Sequence, residues 1–138
     1  MFVLDTNHFR ELVHASEIGL RLKARISLGD EFVLSIVTAE ETLRGWLARI
    51  AMERDVAAQA FGYFQLSQAI QALSEYVLLP WDEDAALRFK RLRAAGIRIG
   101  TMDLKIACIA MEHDAVLLTR NRTDFEKVPG LIFENWLD

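Results

Sequence analysis

Short apolar runs alternate along the chain with longer segments of helical periodicity. The runs have the length of buried β-strands and are bounded by polar or turn residues, so they predict four strands and a fifth at the edge. The predicted strands are 2–4, 32–37, 76–79, 115–119 and, at the edge, 131–133. The intervening segments carry apolar residues three or four positions apart, as amphipathic helices do. We expect helices over 7–28, in one or two pieces, and over 38–50, 56–74, 82–95 and 102–113.

Polar residues indicate where the helices begin. Thr6 or Asn7 is predicted to cap the first helix, and Ser16 to cap a second piece of it. Thr38 to Glu41 has the Ser/Thr-x-x-Glu form of a capping box, and Thr101 is expected to cap a later helix. Because strands alternate with helices throughout, the fold class is α/β. We predict a central, mostly parallel sheet of four to five strands, covered by helices on both faces.

Composition narrows the class of protein. The 138 residues are 52% hydrophobic and 26% charged, which is typical of one folded domain spanning 1–138. The single cysteine, Cys108, excludes an internal disulfide framework, and no signal stretch precedes the first strand, so we expect a cytoplasmic protein. The formal net charge of −4 gives no sign of a nucleic-acid partner at the level of the whole chain.

Residues 56–74 contain no Lys, Arg, Asp or Glu. A membrane span is not expected, because unpaired amides are costly in hydrocarbon and the segment carries Gln59, Gln65, Gln68 and Gln71. A helix without charge is expected to be buried on most of its sides. It is then either an internal core helix or a helix packed against another subunit or a partner, because interfaces lose charged residues as cores do.

One basic cluster interrupts this acidic chain. It comprises Arg88, Lys90, Arg91, Arg93 and Arg98. Such a cluster favours a solvated helix face with basic residues near the negative end of the helix dipole, and contact with a phosphate backbone is the alternative.

Carboxylates follow the predicted strands. Asp5 follows the first strand, Glu41 is placed in the first turn after the second, and Asp124 lies in the loop after the fourth, while Asp103 lies in the first turn of a helix. Because the carboxyl ends of parallel strands share one edge of a sheet, these acids are expected to converge there. A cluster of this charge needs cations, and all-oxygen ligands suit Mg²⁺ or Mn²⁺.

Each acid also has a structural explanation. Asp5 could cap a helix, Glu41 could complete the capping box, Asp103 could compensate a helix dipole, and Asp124 could close an Asx turn. Four acids at the same edge of one sheet are less well explained by capping alone.

Four segments in this order resemble the PIN-domain family, and in particular the VapC-type toxins of prokaryotic toxin–antitoxin pairs. They are Leu4-Asp5-Thr6-Asn7; Ser35 to Glu41 with Gly45 after it; Met102 to Ala107; and Leu118 to Phe125. The ending, from Pro129 to Trp136, is also similar. The resemblance spans nearly the whole chain. It departs from the family pattern at Thr42, where an apolar residue is common.

The resemblance implies a single PIN-like α/β domain and a metal-dependent endoribonuclease that cuts structured RNA such as tRNA. It also implies an antitoxin protein that binds near the acidic pocket, and we expect a homodimer through the uncharged helix. Asp5, Glu41, Asp103 and Asp124 match the acidic, metal-binding and catalytic positions, while Thr6, Asn7 and Asn121 match or adjoin supporting ones. Arg120, Arg122 and Arg91 are candidate contacts for the RNA backbone.

Three other functions were compared with this one. A haloacid-dehalogenase-like phosphatase needs a second acid two positions after the first, where this chain has Asn7. A histidine-based ribonuclease needs two convergent imidazoles, but His8, His14 and His113 are expected to be surface or capping residues. The third alternative is a non-catalytic module that binds RNA or protein.

Overall fold

The computed structural model of the protein describes residues 1–26 and 29–138. The strands within these ranges are β1 (Phe2–Leu4), β2 (Phe32–Ser35), β3 (Leu78–Leu79), β4 (Val116–Leu118) and β5 (Phe133–Glu134). The helices are α1 (Thr6–His14), α2 (Glu17–Ile26), α3 (Ile36–Met52), α4 (Gln59–Leu73), α5 (Glu83–Ala94), α6 (Thr101–Glu112) and α7 (Arg122–Phe125). β1 has the predicted bounds, whereas β2, β3 and β4 are shorter than the apolar runs that predict them, and β5 begins two residues later than predicted. The predicted end of the first helical segment, Leu28, lies outside the described residues.

The strands form one sheet in the order β3-β2-β1-β4-β5, and every neighbouring pair is parallel. This confirms the predicted α/β class and parallel sheet. In the register of the central strands, Leu4 pairs with Leu34 on one side and with Leu118 on the other. The carboxyl ends of β1, β2 and β4 therefore lie level with one another, and the residues that follow them start from the same edge.

Both faces of the sheet are buried. Val3, Val33 and Leu117 belong to one apolar core, which also contains residues of α5 and α6. The alternate positions Leu4 and Leu34, together with Leu118, belong to a second core that includes residues of α1, α3 and α4. Burying each of these side chains contributes roughly 2 kcal/mol to the stability of the fold. The apolar runs reflect this arrangement, because a strand covered on both faces has no polar side.

Serine and aspartate cap the first three helices. The Asp5 carboxylate accepts a hydrogen bond from the backbone N–H of His8, so Asp5 itself caps α1, and the prediction of Thr6 or Asn7 as the cap is wrong. Ser16 Oγ accepts from the N–H of Gly19 at 3.0 Å, which confirms the cap predicted between the first two helices. Ser35 Oγ accepts from the N–H of Thr38 at 3.1 Å and caps α3.

The capping box predicted at Thr38 is therefore wrong. The helix begins at Ile36, so Thr38 already lies in its first turn and Glu41 in its second. The prediction failed because Ile36 and Val37 are β-branched and apolar, which extends the pattern of a strand, although the polar Ser35 ends it. The cap predicted at Thr101 is also wrong, because α6 begins at that residue and Gly100 precedes it without a side-chain cap.

The uncharged helix α4 is largely exposed in the single chain. Only Gly62, Ala69 and Leu73 are buried in it, while Phe61 is 58% and Phe64 60% exposed. The prediction that this helix is buried on most of its sides is wrong for the isolated chain, and so is its interpretation as an internal core helix. Among the residues that the structure describes, no helix combines the length and the apolar character needed to cross a bilayer.

Candidate active site

Four carboxylates surround the carboxyl edge of the sheet. Asp5 follows β1 directly, and Asp124 lies in α7 after β4. Glu41 lies in the second turn of α3, whereas the sequence predicts the first turn of that helix. Asp103 comes from the first turn of α6. The four acids predicted from the sequence thus lie around the same edge of the sheet, each carried by a different helix or helix start.

The surroundings of Asp103 disfavour the charged form of its carboxyl group. Burial raises the pKa of its carboxyl above the ordinary value, and the negative charges of Glu41, Asp5 and Asp124 raise the pKa further, in that order. A hydrogen bond from Asn121 opposes this effect and lowers the pKa. The negative charges of the other three carboxylates therefore act on Asp103. A bound cation would offset this repulsion.

Asp5 is the most enclosed of the four acids, with 6% of its surface exposed. Its Oδ1 atom accepts hydrogen bonds from the backbone N–H of His8 at 2.8 Å and lies 3.1 Å from Nδ1 of the same residue. The cap of α1 and the contact with the imidazole thus use the same oxygen.

A hydroxyl holds Glu41. Thr6 Oγ1 donates to Glu41 Oε1 at 2.7 Å and lies 3.3 Å from the hydroxyl of Thr38. Thr6 therefore lies beside an acidic side chain and is not a helix cap.

Asn121 joins the remaining two acids. Its amide nitrogen donates to Asp124 Oδ2 at 2.8 Å and to Asp103 Oδ2 at 3.4 Å, while its Oδ1 accepts from the backbone N–H of Asp124. Lys127 Nζ lies 3.7 Å from the other oxygen of Asp124. Asn121 is thus both the cap of α7 and a bridge between two carboxylates.

Asn7 lies outside this network. It is exposed, and its Oδ1 accepts a hydrogen bond from Arg10 at 2.6 Å. Within the described residues it makes no hydrogen bond to any of the four acids. Its predicted supporting role has no counterpart in the contacts of this structure.

The three arginines predicted to contact RNA lie at the surface. Arg120 pairs with Asp138 at 3.0 Å, and Arg122 pairs with Glu126 at 2.6 Å. Arg91 is exposed near the end of α5. Ion pairs as exposed as these contribute little stability, so both paired guanidinium groups can exchange their partner for a phosphate at small cost.

Other members of the basic cluster have structural partners. Arg88 pairs with Glu112 at 2.6 Å, and Arg93 donates to the backbone carbonyls of Ile97 and Ile99. Arg93 thereby holds the loop that leads into α6 and so to Asp103.

The site offers only oxygen ligands, which suits Mg²⁺ or Mn²⁺. In the described part of the chain, however, no three His, Cys, Asp or Glu side chains are gathered closely enough to hold a metal ion. The acids are instead turned towards separate donors: Asp5 to His8, Glu41 to Thr6, and Asp103 and Asp124 to Asn121. The chemistry of the donor set fits a divalent cation, and side-chain rotation is required to bring the oxygens to ligand distance.

The prediction that His8 lies at the surface or at a cap is wrong. His8 is completely buried and contacts Asp5. His14 is exposed, and His113 follows the last turn of α6, as expected for surface and capping residues. No pattern near His8 indicates its burial, because one of its partners is the backbone of Trp136 at the other end of the chain.

A groove opens beside the acids, between α1, α3 and α4. Its volume is about 340 Å³ and its lining is mainly apolar. The helices approach closely at Gly62, where an added Cβ would lie 2.7 Å from Ile50 Cγ1. The groove is lined by Thr6, Phe9, Arg10, Val13, His14, Glu41, Thr42, Gly45, Trp46, Arg49, Phe61, Gln65 and Ala69. Two residues of the acidic network, Thr6 and Glu41, thus also line the groove.

The fold agrees with that of a known family. A family model described as PIN domain matches residues 2–131. The chain belongs to the PIN domain family.

Similar proteins match nearly the whole length of the chain. It is 30% identical to Ribonuclease VapC1 from Haemophilus influenzae strain R2866, over 99% of this chain and 98% of the relative. It is 27% identical to the tRNA(fMet)-specific endonuclease VapC from Salmonella typhimurium, over 98% and 97% of the two chains. A crystal structure of DNA-bound VapBC from Salmonella typhimurium superposes with a TM-score of 0.78, at 26% identity and with 98% and 97% coverage.

Proposed function

We propose that this PIN-domain protein is a metal-dependent endoribonuclease and the toxin of a type II toxin–antitoxin pair. The observation that carries the proposal is the position of four acids around one edge of the sheet, namely Asp5, Glu41, Asp103 and Asp124. At this edge burial, and then the charges of the other three acids, raise the pKa of Asp103. The names of the two relatives, both VapC nucleases, support the same activity.

Each residue of the site has a role in this proposal. Asp5 and Asp103 hold Mg²⁺ or Mn²⁺, and Asp124 and Glu41 complete its ligand set or orient the attacking water. Thr6 fixes the Glu41 carboxylate, and Asn121 fixes Asp103 and Asp124. When bound, the cation supplies a water of lowered pKa and stabilises negative charge at the phosphate and at the leaving oxygen.

The substrate we propose is structured RNA such as tRNA, whose cleavage would inhibit translation. The name of the Salmonella relative supports initiator tRNA as the first RNA to test. Arg120, Arg122 and Arg91 are proposed to contact the RNA backbone, because arginine is suited to bidentate pairing with phosphate.

A cognate antitoxin is the proposed occupant of the groove. The resemblance to VapC toxins and the likeness to a VapBC structure support such a partner. A segment with apolar side chains would fill the walls formed by Phe9, Trp46 and Phe61, and an arginine at its end would pair with Glu41, which lines the same groove. Occupation of the groove would then block access to the acidic site.

We also propose that the protein forms a homodimer through α4. The helix carries no charged residue, yet Tyr63, Phe64 and Ile70 are between 53% and 60% exposed in the single chain. Exposed aromatic and aliphatic side chains on an uncharged surface are typical of an interface.

The proposed activity is tested by comparing RNA cleavage by variants of two neighbouring glutamates, Glu41 and Glu40. The native protein is incubated with initiator tRNA, other tRNAs and ribosomal RNA, in Mg²⁺ or Mn²⁺ and in chelator. Glu41→Gln should lose most of the cleavage, whereas the control Glu40→Gln should cut normally, because Glu40 is exposed and pairs with Arg44.

Discrete cuts that need the cation and disappear in Glu41→Gln would support the nuclease. A folded native protein that binds Mn²⁺ but cuts none of these RNAs would contradict it and favour a non-catalytic module that binds RNA or protein. Cleavage that continues unchanged in chelator would contradict the metal-dependent mechanism alone.

A further inference from the structure

His8 connects the acidic site with the C-terminal segment. Its side chain is completely buried, and its two ring nitrogens face different partners. Nδ1 lies 3.1 Å from Asp5 Oδ1, and the backbone N–H of Trp136 donates to Nε2 at 3.3 Å. The imidazole therefore bridges a carboxylate at the start of the chain and a backbone amide near its end.

These two contacts fix the tautomer of the ring. Since Trp136 N–H is a donor, Nε2 must present a lone pair. A neutral imidazole with an unprotonated Nε2 carries its proton on Nδ1, which can then donate to Asp5 Oδ1. The donor that Asp5 meets is thus determined by a contact on the opposite side of the ring.

The hydrogen bonds to Asp5 are concentrated on one oxygen. Oδ1 accepts both from the backbone N–H of His8 and from its ring. Among the described residues, none donates a hydrogen bond to Oδ2. Oδ1 therefore makes both the capping hydrogen bond and the contact with the ring. Oδ2 is left for a ligand outside the chain.

Trp136 is itself firmly placed. Its ring packs against Phe2 and Phe32 with centroid distances of 4.9 and 5.5 Å, and the guanidinium of Arg25 lies 3.6 Å above it. Phe2 and Phe32 begin the two strands whose far ends lead to Asp5 and Ser35. The backbone amide that fixes His8 is thus anchored on the sheet.

We infer that His8 is a positioning residue for Asp5: its Nδ1–H holds Oδ1 and leaves Oδ2 as the oxygen that binds the divalent cation. The inference rests on the proposed function, because it assigns a cation to the Asp5 carboxylate. Groups that hydrogen-bond to a ligating carboxylate typically change metal affinity 10–100-fold when they are removed.

Two substitutions separate the role of the donor from the role of burial. In His8→Asn the side-chain amide can stand where Nδ1 stands and can still donate to Asp5, but the contact with Trp136 is lost. His8→Leu is also uncharged and of similar size, and it removes both contacts. His113→Leu is the control, because His113 lies at the end of α6 opposite to Asp103, about 15 Å away along the helix.

The measurement is Mn²⁺ affinity by calorimetry on the full chain without RNA, together with thermal unfolding in chelator. We expect His8→Leu to bind Mn²⁺ about 10–100-fold more weakly than the native protein. His8→Asn and His113→Leu should stay within about threefold of native affinity, whatever their unfolding temperatures. Native affinity in His8→Leu, or equal losses in His8→Asn and His8→Leu, would overturn the inference.

A second measurement does not depend on folding of the variants. Long-range proton–nitrogen NMR spectra of the native protein should show the His8 proton on Nδ1, and a proton on Nε2 would overturn the inference. If the nuclease proposal fails and the inference about His8 holds, the native protein will bind Mn²⁺ in a His8-dependent manner and will cut no RNA. A native protein that cuts RNA without binding Mn²⁺ would overturn the inference and leave the nuclease standing.

Discussion

Thr6 Oγ1 donates a 2.7 Å hydrogen bond to Glu41 Oε1 and so links the first turn of α1 to the second turn of α3. The two helices leave the sheet from neighbouring strands, β1 and β2. The bond therefore fixes one carboxylate of the site relative to another, because Asp5 directly precedes Thr6 in the chain.

Thr6→Val should lower the rate of RNA cleavage about tenfold, since a hydrogen bond to a charged group contributes roughly 1.5–3 kcal/mol. The fold should be retained, because valine has nearly the same shape as threonine. Thr6→Ser keeps the hydroxyl and should cut at close to the native rate. Equal activity in the valine and serine variants, measured as single-turnover rates, would show that the bond does not position Glu41.

Asp103→Asn should make the cation-free protein more stable while it abolishes cleavage. Burial and the three neighbouring carboxylates raise the pKa of Asp103, so removal of its charge relieves an unfavourable interaction. The expected gain is about 1 kcal/mol in the free energy of unfolding in chelator. An unchanged or lower stability, measured by urea unfolding, would contradict the proposed repulsion.

The same pKa shift predicts how stability depends on pH. In the folded protein Asp103 binds its proton more tightly than in the unfolded chain, where the ordinary value is 3.8. Its contribution to stability in chelator should therefore fall as the pH rises from 3.8 through the raised pKa, and then remain constant. Asp103→Asn should lack this component of the pH dependence, and a native profile in that variant would contradict the assignment.

Gly45→Ala should stabilise the protein and weaken antitoxin binding. Gly45 lies inside α3 and lines the groove. Beyond its chain neighbours and the backbone of its own helix, an added Cβ would meet no atom of the described residues within 4 Å. Replacing a helical glycine with alanine raises the free energy of unfolding by about 1 kcal/mol, which corresponds to an increase of about 4 °C in the melting temperature. A partner packed against the open Gly45 surface would meet the new methyl group, so we expect about tenfold weaker binding.

Ala48→Gly is the matched control for this prediction. Ala48 is exposed on the same helix and does not line the groove, so its replacement should lower stability and leave antitoxin binding unchanged. Native affinity of Gly45→Ala in calorimetry with the antitoxin would place the partner elsewhere.

The parallel sheet and its acids could be predicted because their signals are local. Leu4 and Leu118 stand in runs without polar residues, and Asp5 follows the first run at once. A parallel sheet then places the strand ends at one edge without further information. The order of the strands could not be predicted in this way, because each run is apolar on both faces and so carries no preference for a neighbour.

The errors also have physical causes. The start of α3 was placed too late because Ile36 and Val37 favour strands, while the capping hydrogen bond of Ser35 decided the outcome. Burial of α4 was overestimated because a segment without charge can be covered by another molecule as well as by its own chain. His8 was missed because its partner Trp136 is distant in sequence and contributes only a backbone amide.

Phe64→Lys should convert the proposed homodimer into a monomer. Phe64 is 60% exposed on the uncharged helix, and a lysine there would place a charge in the interface. Leu87→Lys is the control, since Leu87 is exposed on α5, which packs on the other face of the sheet. Sedimentation velocity should give a dimer for the native protein and for Leu87→Lys. A native protein that sediments as a monomer at high concentration would contradict the interface.

We propose that the negative charge of Asp5 takes part in catalysis, beyond the role of this residue as a helix cap. Asp5→Asn separates the two roles, because asparagine caps helices as well as aspartate and its Oδ1 can still accept from the N–H of His8. The decisive measurement is Mg²⁺-dependent cleavage of tRNA by this variant beside the native protein, with circular dichroism to establish that both are folded. We expect a native fold and no detectable cuts, whereas native cleavage by a folded Asp5→Asn protein would show that catalysis does not need the charge of Asp5.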